Sequence, residues 1–231
     1  MKFGLFFVLQ RPDHLSERRI YEAELGQMVL ADDLGYDSIW IAEHHFADFG
    51  VCPAPQVLAA SVAAQTKRLR VGMGITLLPL HDPVQIAEEL AVLDQVSDGR
   101  LDVGIGRASS TIEYSGFNIP YEESRGRVDE GLEIMRGLWS RDPFSYQGRF
   151  RSIDNVSLVP KPVQQPHPPL YLACNSEETV PIAARHGLPM MTSMLVGPRA
   201  LVKRHEIYRA VSAEHGHAPV EVEDRVAQTW T

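Results

Sequence analysis

The segment Asp37-Ser38-Ile39-Trp40-Ile41-Ala42-Glu43-His44-His45-Phe46 carries the most concentrated reactive chemistry in the chain. A short apolar run ends there in a carboxylate and two adjacent histidines. An imidazole has an ordinary pKa of about 6.5, so it can take and return a proton near neutral pH. The structural alternative for such a pair is one buried, hydrogen-bonded histidine and one at the surface. Other polar groups fall at the ends of other apolar runs. Gly74, Ile75 and Thr76 close one, and Gly106 and Arg107 close another, with Ser109 and Ser110 beyond. Cys174, Asn175 and Ser176 close a third, and Thr192, Ser193 and Met194 a fourth. An arginine, hydroxyls and an amide beside a helix start can hold a phosphate. Asn175 and Ser176 stand just before a helical pattern, where free backbone N–H groups point. Taken alone, helix capping is the plainer explanation of those two.

Several other chemistries are absent from the sequence. No serine has a nucleophile-elbow context and no P-loop occurs. Glu43-His44-His45 lacks the i, i+4 histidine spacing of a zinc helix, so no metal site is expected. Gly104-x-Gly106 does not extend to the dinucleotide pattern, because position 109 is serine.

The elements that must position these groups alternate. Phe3 to Leu9 reads as a buried strand, followed by a helix with Ile20, Leu25, Met28, Val29 and Leu34 at helical spacing and Gly35 as its stop. Ser38 to Ala42 is the second strand, and the alanine-rich stretch from Val57 to Thr66 is a helix. A third strand covers Leu69 to Leu78, where Gly72 and Gly74 suggest close backbone approach. A helix starting at Pro83 runs to Val96, and Leu101 to Ile105 is the fourth strand. After a loop, a helix spans about Ser124 to Trp139. The stretch from Ser140 to Pro169 holds six of the sixteen prolines and reads as an excursion with a hairpin around Tyr146–Phe150. Strands then recur at 170–174 and 188–194, helices at 177–186 and 198–215, and a seventh strand begins over 222–230. Alternation of this kind means a parallel sheet of βαβ units. The expected fold is a single α/β domain over 1–231, a TIM-like (β/α)8 barrel truncated after about seven strands; whole barrels take about 250 residues. In a barrel, the strand ends named above share one rim.

With 44% hydrophobic and 23% charged residues the chain can build an ordinary core, and its net charge of -8 argues against a nucleic-acid partner. The two cysteines, Cys52 and Cys174, form no framework, which favours a reducing compartment. No signal peptide or membrane span is legible, so the expected location is cytoplasmic.

These residues carry a family likeness. Ala42-Glu43-His44-His45-Phe46, Leu93-Asp94-Gln95 with Ser97-x-Gly99-Arg100, Gly104-x-Gly106-Arg107 and Gly187-Leu188-Pro189-Met190 run in family order along the chain. The sequence resembles the bacterial luciferase-like, flavin-dependent monooxygenases. The resemblance implies a TIM-like barrel using reduced FMN as a diffusible substrate supplied by a separate flavin reductase. It implies a C4a-hydroperoxyflavin that oxidises a small organic substrate such as an aldehyde. A dehydrogenase using the deazaflavin F420, or a non-catalytic flavin binder, shares the fold.

Residue by residue, the likeness makes His44 the catalytic base and places a non-prolyl cis peptide at Gly74-Ile75 beneath the flavin. It puts Arg107, Asn175, Ser176 and Thr179 at the flavin phosphate, and Gly106 and Met194 against the cofactor. Phe6, Phe46 and Glu113 are expected to line the substrate pocket. His45 and Glu88 are expected to meet across a homodimer built on helices 57–66 and 83–96. Asn175 replaces a glutamate of the luciferase catalytic subunit, Met194 a tryptophan and Glu113 an aspartate, so light emission is not implied.

Overall fold

The computed structural model describes residues 2–193 and 196–218, together with a strand at 225–227. Strands β1 (Lys2–Phe7), β2 (Ser38–Ile41), β3 (Arg70–Leu77) and β4 (Leu101–Gly106) alternate with helices α1 (Glu17–Asp33), α2 (Pro55–Gln65) and α3 (Pro83–Val96). A short helix α4 (Thr111–Gly116) and a long one, α5 (Ser124–Ser140), follow, then the hairpin strands β5 (Phe144–Gln147) and β6 (Ser152–Val156). The chain returns through β7 (Leu170–Ala173), α6 (Val180–His186), β8 (Met190–Met191), α7 (Pro198–Glu214) and β9 (Arg225–Ala227). The main sheet has the order β8-β7-β4-β3-β2-β1-β9, with every adjacent pair parallel. It curls into a half-barrel carrying helices on its outer face.

The two faces of the sheet follow from period-two alternation. Ile39, Ile41, Val71, Met73, Leu101, Val103 and Ile105 are fully buried and pack outward with Leu90, Leu132 and Met135 of the helices in one core. The alternate residues face inward. Trp40 lies against Gly72, where an added β-carbon would come within 2.4 Å of the indole, and meets Tyr171 edge-on at 5.5 Å. At the amino-terminal end of the sheet, Arg70 Nε donates to Asp102 at 2.7 Å and ties β3 to β4.

Local sequence accounts for the element ends. Pro83 opens α3, and Asp82 Oδ1 accepts from Val84 N at 2.9 Å and from Gln85 N at 3.4 Å. Gly187 ends α6 in the left-handed region, with φ 64°. Ser16 stands at the start of α1 without a side-chain cap bond. The expected hairpin is present as β5 and β6, while the strand expected over 188–194 shortens to two residues. The seventh strand is present at Arg225–Ala227, but it pairs with β1 rather than with β8. The six-residue edge of β1 offers more unpaired backbone than the two residues of β8. Among the described residues no helix is long and apolar enough to cross a membrane.

Candidate functional site

His44 lies beyond the end of β2. Its Nδ1 is 3.6 Å from Glu113 Oε1 on α4. That oxygen also accepts from the His45 backbone N–H at 3.1 Å, and His44 N donates to Cys52 O at 3.2 Å. Phe49 meets the imidazole edge-on at 5.1 Å. Gly50 leaves room for the ring, since a β-carbon there would come within 2.5 Å of it. Burial pushes the His44 pKa below its ordinary value, against the opposing pull of the Glu113 carboxylate. A carboxylate on the Nδ1 side favours the proton there and leaves Nε2 as the basic atom.

Glu113, expected in the substrate pocket, is only 3% exposed. Its carboxylate lies beside the His44 ring and accepts from the His45 backbone N–H. The loop expected after β4 holds the short helix α4; Ser110-x-x-Glu113 has the spacing that opens helices, and Ser110 makes no side-chain cap bond there.

Glu43 is buried, and it is the hub of the segment. Its Oε1 accepts from His45 Nε2 at 2.9 Å and from His81 Nε2 at 2.7 Å, and its Oε2 accepts from Leu77 N at 3.2 Å. Ligand atoms of Glu43, His45 and His81 lie within 4.8 Å of one another, a spacing a metal ion could bridge. The hydrogen bonds already account for that convergence. His45, expected to meet a partner subunit, is 7% exposed within its own chain, and its ring is hydrogen-bonded to Glu43. Glu88 lies on the exposed side of α3.

A second corner forms around Arg107. Its Nη1 donates to Tyr121 O–H at 2.6 Å, and its guanidinium lies 5.3 Å from that ring centre. Gly106, Arg107, Arg125 and Thr179 line one small pocket. Ser176 Oγ is buried and makes no well-formed hydrogen bond, with the Glu178 carboxylate beside it and 3.9 Å from Arg125 Nη2, and Thr179 Oγ1 donates to Ser176 O at 2.9 Å. Asn175 faces elsewhere: its Oδ1 accepts from Ser193 N at 2.8 Å and its carbonyl from Arg204 Nη2 at 2.7 Å. Through these bonds it ties the end of β7 to the segment after β8 and to α7. Two cations, a buried hydroxyl and a helix start are the donor set a phosphate monoester requires. Tyr121 and Arg125 were missed because nothing at the ends of the strands announces them.

Between the two corners lies a floor of small residues. The Gly74–Ile75 peptide is cis, as expected. A β-carbon at Gly74 would reach Phe6 Cε2 at 3.1 Å, and one at Gly106 would reach Ile75 Cδ1 at 2.3 Å and Ala173 Cβ at 2.9 Å. The floor therefore brings together Phe6, Gly74, Ile75 and Gly106. Phe46 is not part of it. It is 57% exposed and packs beside His45, 5.6 Å from Phe117. Met194 lies outside the described residues. A cavity of about 300 Å³ is lined by His81, Asp82, Phe117, Arg127, Glu130 and Arg151, among others, and shares no lining residue with the floor.

The sequence matches the family model described as luciferase-like monooxygenase over residues 1–227. It is 31% identical over 219 residues to the alkanal monooxygenase alpha chain of Photorhabdus luminescens, covering 94% of this chain and 60% of that one. It is 31% identical over 199 residues to the oxygenase component of a flavin-dependent trigonelline monooxygenase of Acinetobacter baylyi, covering 84% and 55%. The chain thus spans roughly three-fifths of the length of such relatives. Among solved structures, a Streptomyces bottropensis monooxygenase superposes with TM-score 0.89 at 36% identity, covering 97% and 69%. The oxygenating constituent of 3,6-diketocamphane monooxygenase from Pseudomonas putida, solved with FMN, superposes with TM-score 0.81 at 26% identity, covering 95% and 64%. An F420-dependent secondary alcohol dehydrogenase, at 22% identity and TM-score 0.82, shares the fold alone.

Proposed function

The chain belongs to the luciferase-like monooxygenase family, and from that premise we propose that it binds reduced FMN on this rim and oxygenates a small organic substrate, such as an aldehyde. The observation that carries the reading is the convergence on one half-barrel of a glycine floor, a buried hydroxyl beside two arginines, and a carboxylate-backed imidazole. Bound dihydroflavin supplies two electrons and activates O2, so that one oxygen atom enters the substrate and the other leaves as water.

The residues divide that task. Arg107, Arg125, Ser176 and Thr179 hold the phosphate, while Asn175 ties the end of β7 to α7. Phe6 and Trp40 pack over Gly74, and Ile75 and Ala173 over Gly106, and together they offer a flat ring a close-packed surface. Phe6, Trp40 and Tyr171 keep the space beneath it apolar and exclude water. His44 takes up or returns a proton at Nε2, with Glu113 fixing the opposite nitrogen.

A separate flavin reductase is the partner this reading requires, and the printed description of the Acinetobacter relative as an oxygenase component fits it. A homodimer is supported by exposed apolar residues beside the site and on α2 and α3: Phe46, Phe49, Val57, Val92 and Phe117. The test supplies FMN, a reductase with NADH, ¹⁸O2 and a panel of straight-chain aldehydes and cyclic ketones. One labelled oxygen per product molecule is the expected result. Tight F420 binding with no labelled product from any of them contradicts the reading.

A further inference from the structure

His44 stands between two residues whose side chains clasp each other. Glu43 and His45 are joined at 2.9 Å, which puts both on one side of the segment. In an extended chain, residues i and i+2 share a face and residue i+1 takes the other. The clasp therefore leaves His44 on the opposite side, toward Glu113, Phe49 and Gly50.

We propose that Glu43, held by His45 and His81, is the positioning residue for His44, setting the direction of its imidazole and supplying a second negative charge behind it. The inference rests on the reading of His44 as the proton handler of the flavin site. Three chain segments meet at this carboxylate: the end of β2, Leu77 at the end of β3, and His81 in the turn before α3. Buried carboxylates persist when their oxygens are paired, and removal of one partner leaves the rest unsatisfied.

The charged groups around His44 are few. Glu113 approaches from α4, while Glu43 and His45 belong to its own segment. Phe49 and Gly50 from the following loop, and the Val8 carbonyl beyond β1, bring no charge. Glu89 of α3 acts on His81 rather than on His44. Burial lowers the His44 pKa; Glu113 and then Glu43 pull it upward, and His45 opposes them. Neutralising Glu43 must therefore move His44 titration to lower pH.

The experiment follows the return of oxidised FMN after reduced FMN, bound to the full chain, meets O2. It is run from acid to alkaline pH for the wild type, Glu43→Gln, His81→Gln, His81→Ala and His44→Ala, with FMN affinity measured alongside. Glu43→Gln is expected to move the acid limb of the rate to lower pH and change the rate about tenfold, with FMN affinity kept within about twofold. His81→Gln keeps an N–H donor for Glu43 and stays close to the wild type, whereas His81→Ala follows Glu43→Gln in rate. An unchanged limb and rate in Glu43→Gln, with a changed rate in His44→Ala, overturns the positioning role alone. No change in His44→Ala overturns the proton-handling reading beneath it. Should Glu43→Gln fail to fold, the His81 pair decides: equal rates in His81→Gln and His81→Ala contradict the proposal.

Discussion

Replacing Arg107 by alanine should weaken FMN binding while leaving riboflavin binding almost untouched. The guanidinium is held in place before any ligand arrives, by the Tyr121 hydroxyl at 2.6 Å and the ring below it. Its side chain therefore loses little freedom on meeting a phosphate. Hydrogen bonds to charged groups contribute about 1.5–3 kcal/mol, and about 1.4 kcal/mol is tenfold in affinity. Arg107 is half-buried, so solvent screening places the expected loss near the lower bound, about tenfold in Kd. Arg107→Lys keeps the charge without the fork and should recover part of the loss. Tyr121→Phe should cost less than Arg107→Ala, since it frees the guanidinium without removing it. The assay is calorimetric titration with FMN and, in parallel, riboflavin, which lacks the phosphate. Equal losses for both ligands, or no loss for FMN, refute the phosphate corner.

Three further outcomes follow from the same geometry. Gly106→Val places a β-carbon about where Ile75 Cδ1 and Ala173 Cβ already lie, and overpacking of this kind costs about 1–3 kcal/mol. Thermal melts should show that loss, with flavin binding abolished while the fold persists; retained binding contradicts the floor assignment. Glu113→Gln removes the carboxylate that raises the His44 pKa, so the acid limb of flavin reoxidation should move to lower pH. An unmoved limb separates Glu113 from His44. For stability, burial raises the Glu43 pKa, but hydrogen bonds from His45 and His81 more than offset it, and the net value is lowered. Its contribution is complete above the unfolded pKa of about 4.3 and is lost as pH falls through the folded value. Melting temperature in Glu43→Gln should accordingly depend less on pH in the acid range than in the wild type.

Much of this was legible in the sequence for a simple reason: a buried parallel sheet writes itself as short apolar runs between helical patterns. Strand ends bearing His44, Gly74-Ile75 and Arg107 are local features, so order along the chain was enough to place them on one rim. What stayed hidden is non-local. Glu43 had no visible role because its partners, Leu77 and His81, lie 34 and 38 residues away. Arg125 and Tyr121 reach the phosphate corner from a helix start, and Glu113 reaches His44 from a six-residue helix. His45 was assigned to a partner subunit from the family likeness, whereas its ring is hydrogen-bonded to Glu43 two residues back and meets Phe117 edge-on. Asn175 looked like a ligand from its place beside a helix, whereas its amide oxygen holds the Ser193 backbone.

The most direct test of the central claim is the rate at which oxidised FMN reappears when stoichiometric reduced FMN and the protein are mixed with O2. The account predicts a return at least about tenfold slower than for free flavin in the wild type, a rate changed in His44→Ala, and the same FMN affinity in both within about twofold. Reoxidation at the rate of free flavin, or a loss of FMN affinity in His44→Ala as large as its change in rate, would contradict it.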